Sequence, residues 1–185
     1  DAELNGKQTA AVATAGKHLI SLISGAAGSG KTRVISTITK LCESHNLKIV
    51  LCAPTGKAAK RIEESTGRKA STIHRLLGFD GKTYARNAHN PISADVVTVD
   101  EASMIDVALA WHLFNAIDLN RTSVVLVGDH QQLPPVGPGN ILRDLIESRA
   151  LPVVRALGLK MSDLCPDMPT AARRQRKPAS KPKYD

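Results

Sequence analysis

The eight residues from Gly25 to Thr32 match the pattern G-x-x-x-x-G-K-[ST] at every defined position. Glycines in such a loop let the backbone curl so that several N–H groups converge, and the start of the next helix favours negative charge there. The Lys31 ammonium would reach the β- and γ-phosphates, and the Thr32 hydroxyl would ligate Mg²⁺. The spacing therefore predicts that the chain binds a nucleoside triphosphate together with Mg²⁺.

The segments on either side of this loop have the periodicities that a phosphate-binding loop requires. Residues 18–24 are rich in β-formers and predict a strand, whereas residues 31–44 alternate apolar and polar side chains at helical spacing. A glycine-rich turn that contains Lys-Thr by chance would need neither element. The residues expected to contact the nucleotide here are Gly25, Ala26, Ala27, Gly28, Ser29, Gly30, Lys31, Thr32 and Arg33.

Two adjacent acids follow the apolar run from Val96 to Val99. An enzyme that hydrolyses a nucleoside triphosphate needs one carboxylate to hold hydrated Mg²⁺ and a second group to orient or deprotonate water. Asp100 suits the first role and Glu101 the second, so both join Lys31 as candidate catalytic residues. An Asp-Glu pair is also common at the solvated start of a helix, but the β-branched strand before this pair favours the catalytic interpretation.

A third polar loop, from Gly128 to Val136, also follows an apolar run. A side-chain amide in this loop could contact the γ-phosphate and sense whether it is present. A proline-stiffened loop with solvated polar residues would be the better interpretation if the segment stood alone.

Apolar runs that alternate with helical patterns predict an α/β fold. Strands are predicted at 18–24, 48–53, 95–100 and 123–128, and helices at 4–15 (capped by Asn5), 31–44, 57–65, 70–77, 107–117 and 139–148. Such strands form a parallel sheet with helices on both faces, and ligands bind at the carboxyl ends of its strands. Each of the three polar loops begins at such an end. Residues 79–93 are predicted to be irregular, with turns at Asp80-Gly81 and Asn90-Pro91.

The net charge of +8 is distributed unevenly. Residues 171–185 carry six basic side chains and one acidic side chain, a balance of +5, whereas residues 1–170 keep 19 of the 25 basic and 16 of the 17 acidic side chains, a balance of +3. Residues 161–185 also hold four of the ten prolines. This composition predicts a domain over residues 1–155 and a disordered basic tail over residues 156–185.

Three scattered cysteines lack metal-ligand spacing, and an odd number argues against a disulfide framework. A reducing compartment is therefore expected, and the cytoplasm is the location it indicates. No apolar run approaches the ~18 residues of a transmembrane helix, so a membrane partner is not expected.

Five segments occur in the order and at the intervals of known helicase motifs. Residues 25–32, 53–61, 71–78, 99–103 and 128–136 resemble motifs I, Ia, Ib, II and III of superfamily 1 DNA helicases. Within that superfamily the pattern is most similar to the RecD-type branch, the α subunit of exodeoxyribonuclease V and its stand-alone relatives. The resemblance covers about residues 4–155 and implies a RecA-like P-loop NTPase fold, the first motor domain of an ATP-dependent DNA helicase.

The resemblance also implies roles for single residues. Residues 4–8 resemble the Q motif, which places Gln8 on the adenine, and Gln132 resembles the motif III glutamine that couples the γ-phosphate to DNA. Contacts to the backbone of single-stranded DNA are implied for Pro54, Thr55, Gly56, Lys57, Thr72 and His74. Hydroxyls, N–H groups at helix starts and lysines are usual phosphate partners and read no sequence. Without the resemblance, His74 would more often be a packed or solvated histidine.

Residues 79–93 fall where RecD-type helicases carry a small hairpin that splits the duplex. The resemblance ends just after Arg155, near the expected position of motif IV. A superfamily 1 helicase has a second motor domain, with motifs IV to VI and arginines that reach the γ-phosphate. The chain is therefore expected to be a first motor domain alone, as a truncation, a gene fragment or one piece of a split assembly. Its expected partners are single-stranded DNA and a missing second motor domain or other subunits of a helicase–nuclease complex.

Two other functions remain open at this point. One is a nucleotide-gated single-stranded DNA-binding module without significant turnover. The other is a small phosphate-loop kinase, although the sequence has no obvious acceptor site or lid, and a kinase would leave the Asp100-Glu101 and Gln132 loops unexplained.

Overall fold

A six-stranded, wholly parallel sheet forms the centre of the computed structural model, which describes residues 6–132 and 134–155. Its strands, in chain order, are β1 (Ile20–Ser24), β2 (Ile49–Ala53), β3 (Ala70–Thr72), β4 (Val96–Val99), β5 (Ser123–Gly128) and β6 (Val153–Arg155). Across the sheet the order is β3-β2-β4-β5-β1-β6. The helices are α1 (Gly6–Lys17), α2 (Lys31–Ser44), α3 (Gly56–Thr66), α4 (Ile73–Leu76), α5 (Val107–Asn115) and α6 (Ile141–Ser148), and a 3₁₀ turn spans Ala102–Met104.

The strand order brings the polar loops together at one edge of the sheet. Strand β5 lies between β1 and β4, with Ser24 opposite Gly128 and Val99 opposite Leu126. The loops after β1, β4 and β5 therefore leave the sheet side by side. This is the edge at which ligands bind in parallel sheets.

Alternate residues of each strand supply two separate apolar cores, one on each face of the sheet. Leu22, Val124 and Leu126 face the core that α4, α5 and α6 cover. Ile23, Val125 and Val127 face the core that α1, α2 and α3 cover. The predicted parallel sheet with helices on both faces is confirmed.

Two short edge strands were not predicted. The predicted helix over 70–77 is instead β3 followed by α4, because residues 70–72 pair with residues 51–53 of β2 before the helix begins. Strand β6 pairs with residues 22–24 of β1. Three-residue strands carry too little periodicity to be recognised, and their extended conformation depends on the neighbouring strand.

Smaller differences concern where helices begin and end. Helix α6 begins at Ile141, two residues later than predicted, because the Asn140 side chain accepts a hydrogen bond from Arg143 N at 3.1 Å and so caps the helix. Helix α5 ends at Asn115 and not at Ile117. The predicted cap Asn5 and the predicted disordered tail lie outside the described residues.

The segment between α4 and β4 turns at Asp80-Gly81 as predicted, but its second turn lies at residues 88–89, just before the predicted Asn90-Pro91. Gly81 has φ of +101°, and the Asp80 carboxylate accepts hydrogen bonds from Lys82 N and Thr83 N. Isolated antiparallel bridges join Phe79 to Tyr84 and Asn87 to Asn90. None of the helices in the described part of the chain is long and apolar enough to cross a membrane.

Candidate nucleotide-binding site

The phosphate loop joins β1 to α2 through two glycines with positive φ, Gly28 (φ +78°) and Gly30 (φ +85°). Gly30 caps α2, and its carbonyl accepts hydrogen bonds from Arg33 N and Val34 N at 3.0 and 3.1 Å. Gly25 N donates to Gly128 O at 3.1 Å, which fixes the start of the loop against the end of β5. A residue with a β-carbon would be strained at both positive-φ positions.

Lys31 folds back over the loop. Its ammonium donates to the carbonyl oxygen of Gly25 and, at 3.0 Å, to that of Ala26. Lys31 lines the cleft described next and is not part of either apolar core.

A single open cleft of about 200 Å³ brings the loop and the two other polar segments together. It is lined by Ala27, Gly28, Gly30, Lys31, Thr32, Arg61, Asp100, Glu101 and Gln132. The set includes both candidate Mg²⁺ ligands, Thr32 and Asp100, and the four candidate catalytic residues, which are Lys31, Asp100, Glu101 and the motif III glutamine Gln132. Gln132 is exposed in the loop after β5, where its backbone N–H donates to Asp129 O at 3.1 Å.

Asp100 lies at the carboxyl end of β4 and is only 4% exposed. Its backbone N–H donates to Cys52 O, and its Oδ1 accepts a hydrogen bond from Glu101 N at 2.9 Å. Burial raises the pKa of the Asp100 carboxyl, although that hydrogen bond and the charges of Lys31 and Arg61 act in the opposite direction. A buried carboxylate and the Thr32 hydroxyl form the kind of hard oxygen donor set that Mg²⁺ takes along with phosphate oxygens and water. The residues present fit this ion.

Glu101 has a left-handed backbone conformation, with φ of 51° and ψ of 40°. Its Oε1 lies 3.8 Å from Nη1 of Arg61, and its Oε2 is buried with no hydrogen-bond partner among the described residues.

No group of three or more histidine, cysteine, aspartate or glutamate side chains that could hold a metal ion occurs in residues 6–132 and 134–155.

Gln8 lies in α1, beside the phosphate loop, and is buried. Its Nε2 donates to Ser29 O at 3.5 Å, a long hydrogen bond. A β-carbon added at Gly30 would fall 2.1 Å from this nitrogen, so the close approach depends on glycine. Gln8 thus contacts the loop from outside the cleft, and its contact with adenine stays a prediction.

The predicted nucleic-acid residues begin two neighbouring helices. The Thr55 hydroxyl caps α3 by accepting a hydrogen bond from Ala58 N, and the Thr72 hydroxyl caps α4 by accepting one from Arg75 N, both at 3.2 Å. Since Ala53 and Thr72 are opposite each other in the sheet, these helix starts lie side by side. Pro54, Gly56 and Lys57 belong to the same turn as Thr55. The result is a polar face of backbone N–H groups and hydroxyls, separate from the residues that line the cleft.

His74 is part of a surface cluster of rings. Ring centroids lie 5.5 Å apart for His74 and Phe79, 4.7 Å for Phe79 and Tyr84, and 4.1 Å for Tyr84 and His112. Trp111, which is 61% exposed, continues the cluster at 4.8 Å from His112. These contacts hold the segment that follows α4 against α5, so packing is one role of His74.

Two polar contacts at the site were not predicted. One is the approach of Arg61 to Glu101. The other is a 2.7 Å hydrogen bond between Ser24 Oγ and His130 Nδ1, which ties the end of β1 to the loop after β5. Arg61 belongs to the segment that resembles motif Ia, so the sequence already placed it near the site. Nothing in the sequence pairs Ser24 with a residue 106 positions away.

The AAA_19 family model, described as an AAA domain, matches residues 8–138 of the chain. The chain belongs to this AAA domain family. It is 42% identical over 138 residues to the ATP-dependent RecD2 DNA helicase of Deinococcus radiodurans, a match over 75% of the chain and 19% of the relative. It is 39% identical over 166 residues to the RecBCD enzyme subunit RecD of Haemophilus influenzae, a match over 76% of the chain and 26% of the relative. The predicted RecD-type first motor domain is confirmed.

The fold is shared with solved Pif1 helicases. Unliganded Pif1 from Bacteroides sp has a TM-score of 0.56 and 22% identity, over 84% of the chain and 42% of Pif1. Pif1 from Candida albicans has a TM-score of 0.56 and 23% identity, over 74% of the chain and 35% of Pif1. The predicted RecA-like P-loop NTPase fold is confirmed.

Proposed function

We propose that this AAA domain binds and hydrolyses ATP as the first motor domain of a RecD-like DNA helicase that acts on single-stranded DNA. The observation that carries the proposal is the single cleft in which the phosphate loop meets Asp100, Glu101 and Gln132. These residues come from the ends of three different strands, so their convergence is a property of the fold and not of the local sequence. The name of the RecD2 relative, an ATP-dependent DNA helicase, supports helicase chemistry.

Each side chain in the cleft has a distinct task in this proposal. Lys31 and the loop N–H groups hold the β- and γ-phosphates, while Thr32 and Asp100 would hold Mg²⁺, which when bound supplies positive charge at the phosphate oxygens. Glu101 accepts a proton from the attacking water, and Gln132 senses the γ-phosphate. Gln8 contacts the adenine from its position behind the loop.

The nucleic-acid partner would lie across the starts of α3 and α4. Helix N-termini present unpaired N–H groups and favour negative charge, which suits a phosphodiester backbone. Thr55, Lys57, Thr72 and His74 would contact that backbone without reading its sequence. This surface supports single-stranded DNA as the partner.

The chain spans 19% and 26% of the length of the two curated relatives compared above. Because the relatives are much longer than this chain, we also propose that the whole protein unwinds DNA. A second motor domain and other subunits of a helicase–nuclease complex would take part in that reaction. A cytoplasmic location is also proposed, since Cys42 and Cys52 are both free thiols.

ATP hydrolysis measured with and without single-stranded DNA tests the proposal. We expect Mg²⁺-dependent hydrolysis that DNA stimulates and that Lys31→Ala abolishes, while Lys40→Ala, which removes an exposed lysine from the same helix, leaves it unchanged. DNA binding without hydrolysis would favour a nucleotide-gated binding module instead. Transfer of phosphate to a small acceptor would favour a kinase.

A further inference from the structure

Arg61 brings a positive charge from α3 to the acid at the end of β4. The inward face of this helix is apolar and buried through Ala58, Ala59 and Ile62. Arg61 emerges beside that face with a side chain that is 67% exposed, and its Nη1 lies 3.8 Å from Oε1 of Glu101. Both residues line the nucleotide cleft.

Glu101 has little else to fix its carboxylate. Its side chain is 17% exposed, and Oε2 is buried without a hydrogen-bond partner among the described residues. The left-handed backbone sets the direction in which the side chain leaves the chain, but it does not fix the χ angles. A general base must stay within hydrogen-bond reach of the water that it deprotonates, so the rotamer of this glutamate matters for the reaction.

The Arg61 guanidinium could act in either of two ways: it could contact ATP directly, or it could orient the Glu101 carboxylate. Loss of such a contact would weaken ATP binding, whereas loss of a contact that only orients the base would slow the chemical step and leave binding intact. The Arg61 guanidinium lies beside the Glu101 carboxylate, whose buried Oε2 has no hydrogen-bond partner among the described residues, and this geometry favours the positioning role.

We propose that Arg61 is a positioning residue for Glu101: through its ion pair it holds the carboxylate over the cleft in the orientation that accepts a proton from water. This inference rests on the proposed ATP hydrolysis. It assigns to α3, whose first turn carries the proposed DNA contacts, a second task one turn further along the helix.

Single-turnover hydrolysis, with the 185-residue chain in excess over labelled ATP, tests the inference even if turnover is slow. We expect Arg61→Ala to lower the rate about tenfold or more, since a displaced catalytic group commonly costs up to about 10²-fold. The Kd for Mg·ATP should change by less than about twofold. Arg61→Lys should recover part of the rate, and Lys60→Ala, which removes an exposed cation one residue away, should hydrolyse ATP like the unsubstituted chain.

A double-mutant cycle separates positioning from a general effect of charge. If Arg61 acts through Glu101, adding Arg61→Ala to Glu101→Gln should cost less than about twofold beyond Glu101→Gln alone. A full second loss, a raised Kd for Mg·ATP, or a normal rate in Arg61→Ala would each overturn the inference while the proposed function stands. Absence of hydrolysis in both the unsubstituted chain and Lys60→Ala would refute the proposed function itself, and the positioning role with it.

Discussion

Glu101 has a backbone conformation that few residues other than glycine adopt. A left-handed conformation in such a residue costs on the order of 1–3 kcal/mol and persists only where the surrounding structure requires it. Here the preceding residue helps to hold it, because the Asp100 carboxylate accepts a hydrogen bond from Glu101 N. The strand end thus sends two successive carboxylates into one cleft in different environments, one buried and one partly exposed.

Exchanging each acid for its amide should separate their roles. Glu101→Gln should keep Mg·ATP binding and lower the single-turnover rate of hydrolysis by about 10²–10⁴-fold, because an amide cannot accept the proton. Asp100→Asn should weaken Mg²⁺-dependent ATP binding, because it removes the charged ligand. Calorimetric titration with and without Mg²⁺, together with single-turnover hydrolysis, measures both effects. The opposite pair of results would overturn the roles given to the two acids.

The elements that position these residues were largely predictable, for a physical reason. Strands β1, β4 and β5 are rich in apolar, β-forming residues, and a polar loop follows each of them. Their alternate residues supply both cores. Strands β3 and β6 were missed because three residues become a strand only through pairing with β2 and β1. The motifs predicted which residues line the cleft. They did not predict the Arg61–Glu101 and Ser24–His130 contacts, because these contacts join distant segments and depend on side-chain geometry.

At the scale of a single element, the start of α5 offers a test of local stability. The Asp106 carboxylate caps this helix by accepting a hydrogen bond from Leu109 N at 2.8 Å. Asp106→Ala should lower the free energy of unfolding by about 0.5–2 kcal/mol. Asp106→Asn keeps an acceptor oxygen and should lose much less. Urea unfolding measures the difference, and equal stability of the alanine and asparagine variants would show that the cap does not stabilise the fold.

For the whole molecule, the distribution of charge predicts how nucleic acid binding responds to salt. Single-stranded DNA should bind weakly and without sequence preference, because contacts to the backbone read no bases. Deleting residues 171–185 removes six cations and one anion. The slope of log K against log salt should become shallower, since each phosphate contact to a single strand contributes about −0.7. Titrations at several salt concentrations measure this slope, and an unchanged slope would exclude the basic segment from binding.

The 185-residue chain, assayed by itself, should not unwind duplex DNA. The resemblance to superfamily 1 helicases implies that translocation needs two motor domains that close on ATP and open after hydrolysis, whereas the described residues form one parallel sheet with one nucleotide cleft. A second motor domain would also supply arginines at the γ-phosphate, and an arginine of this kind is worth about 10³–10⁵ in rate in related phosphate-loop enzymes.

Nucleotide binding should survive better than catalysis, because the phosphate loop, the proposed adenine contact Gln8 and the proposed Mg²⁺ ligands all lie within this chain. Strand displacement on a duplex with a 5′ overhang measures unwinding directly, and Lys31→Ala is the matched inactive control. Adding a separately expressed second motor domain of a RecD-type relative should raise ATP turnover if the two surfaces fit. Robust ATP-dependent displacement by the purified chain alone, absent in Lys31→Ala, would contradict the prediction and require a second set of motor residues within residues 156–185.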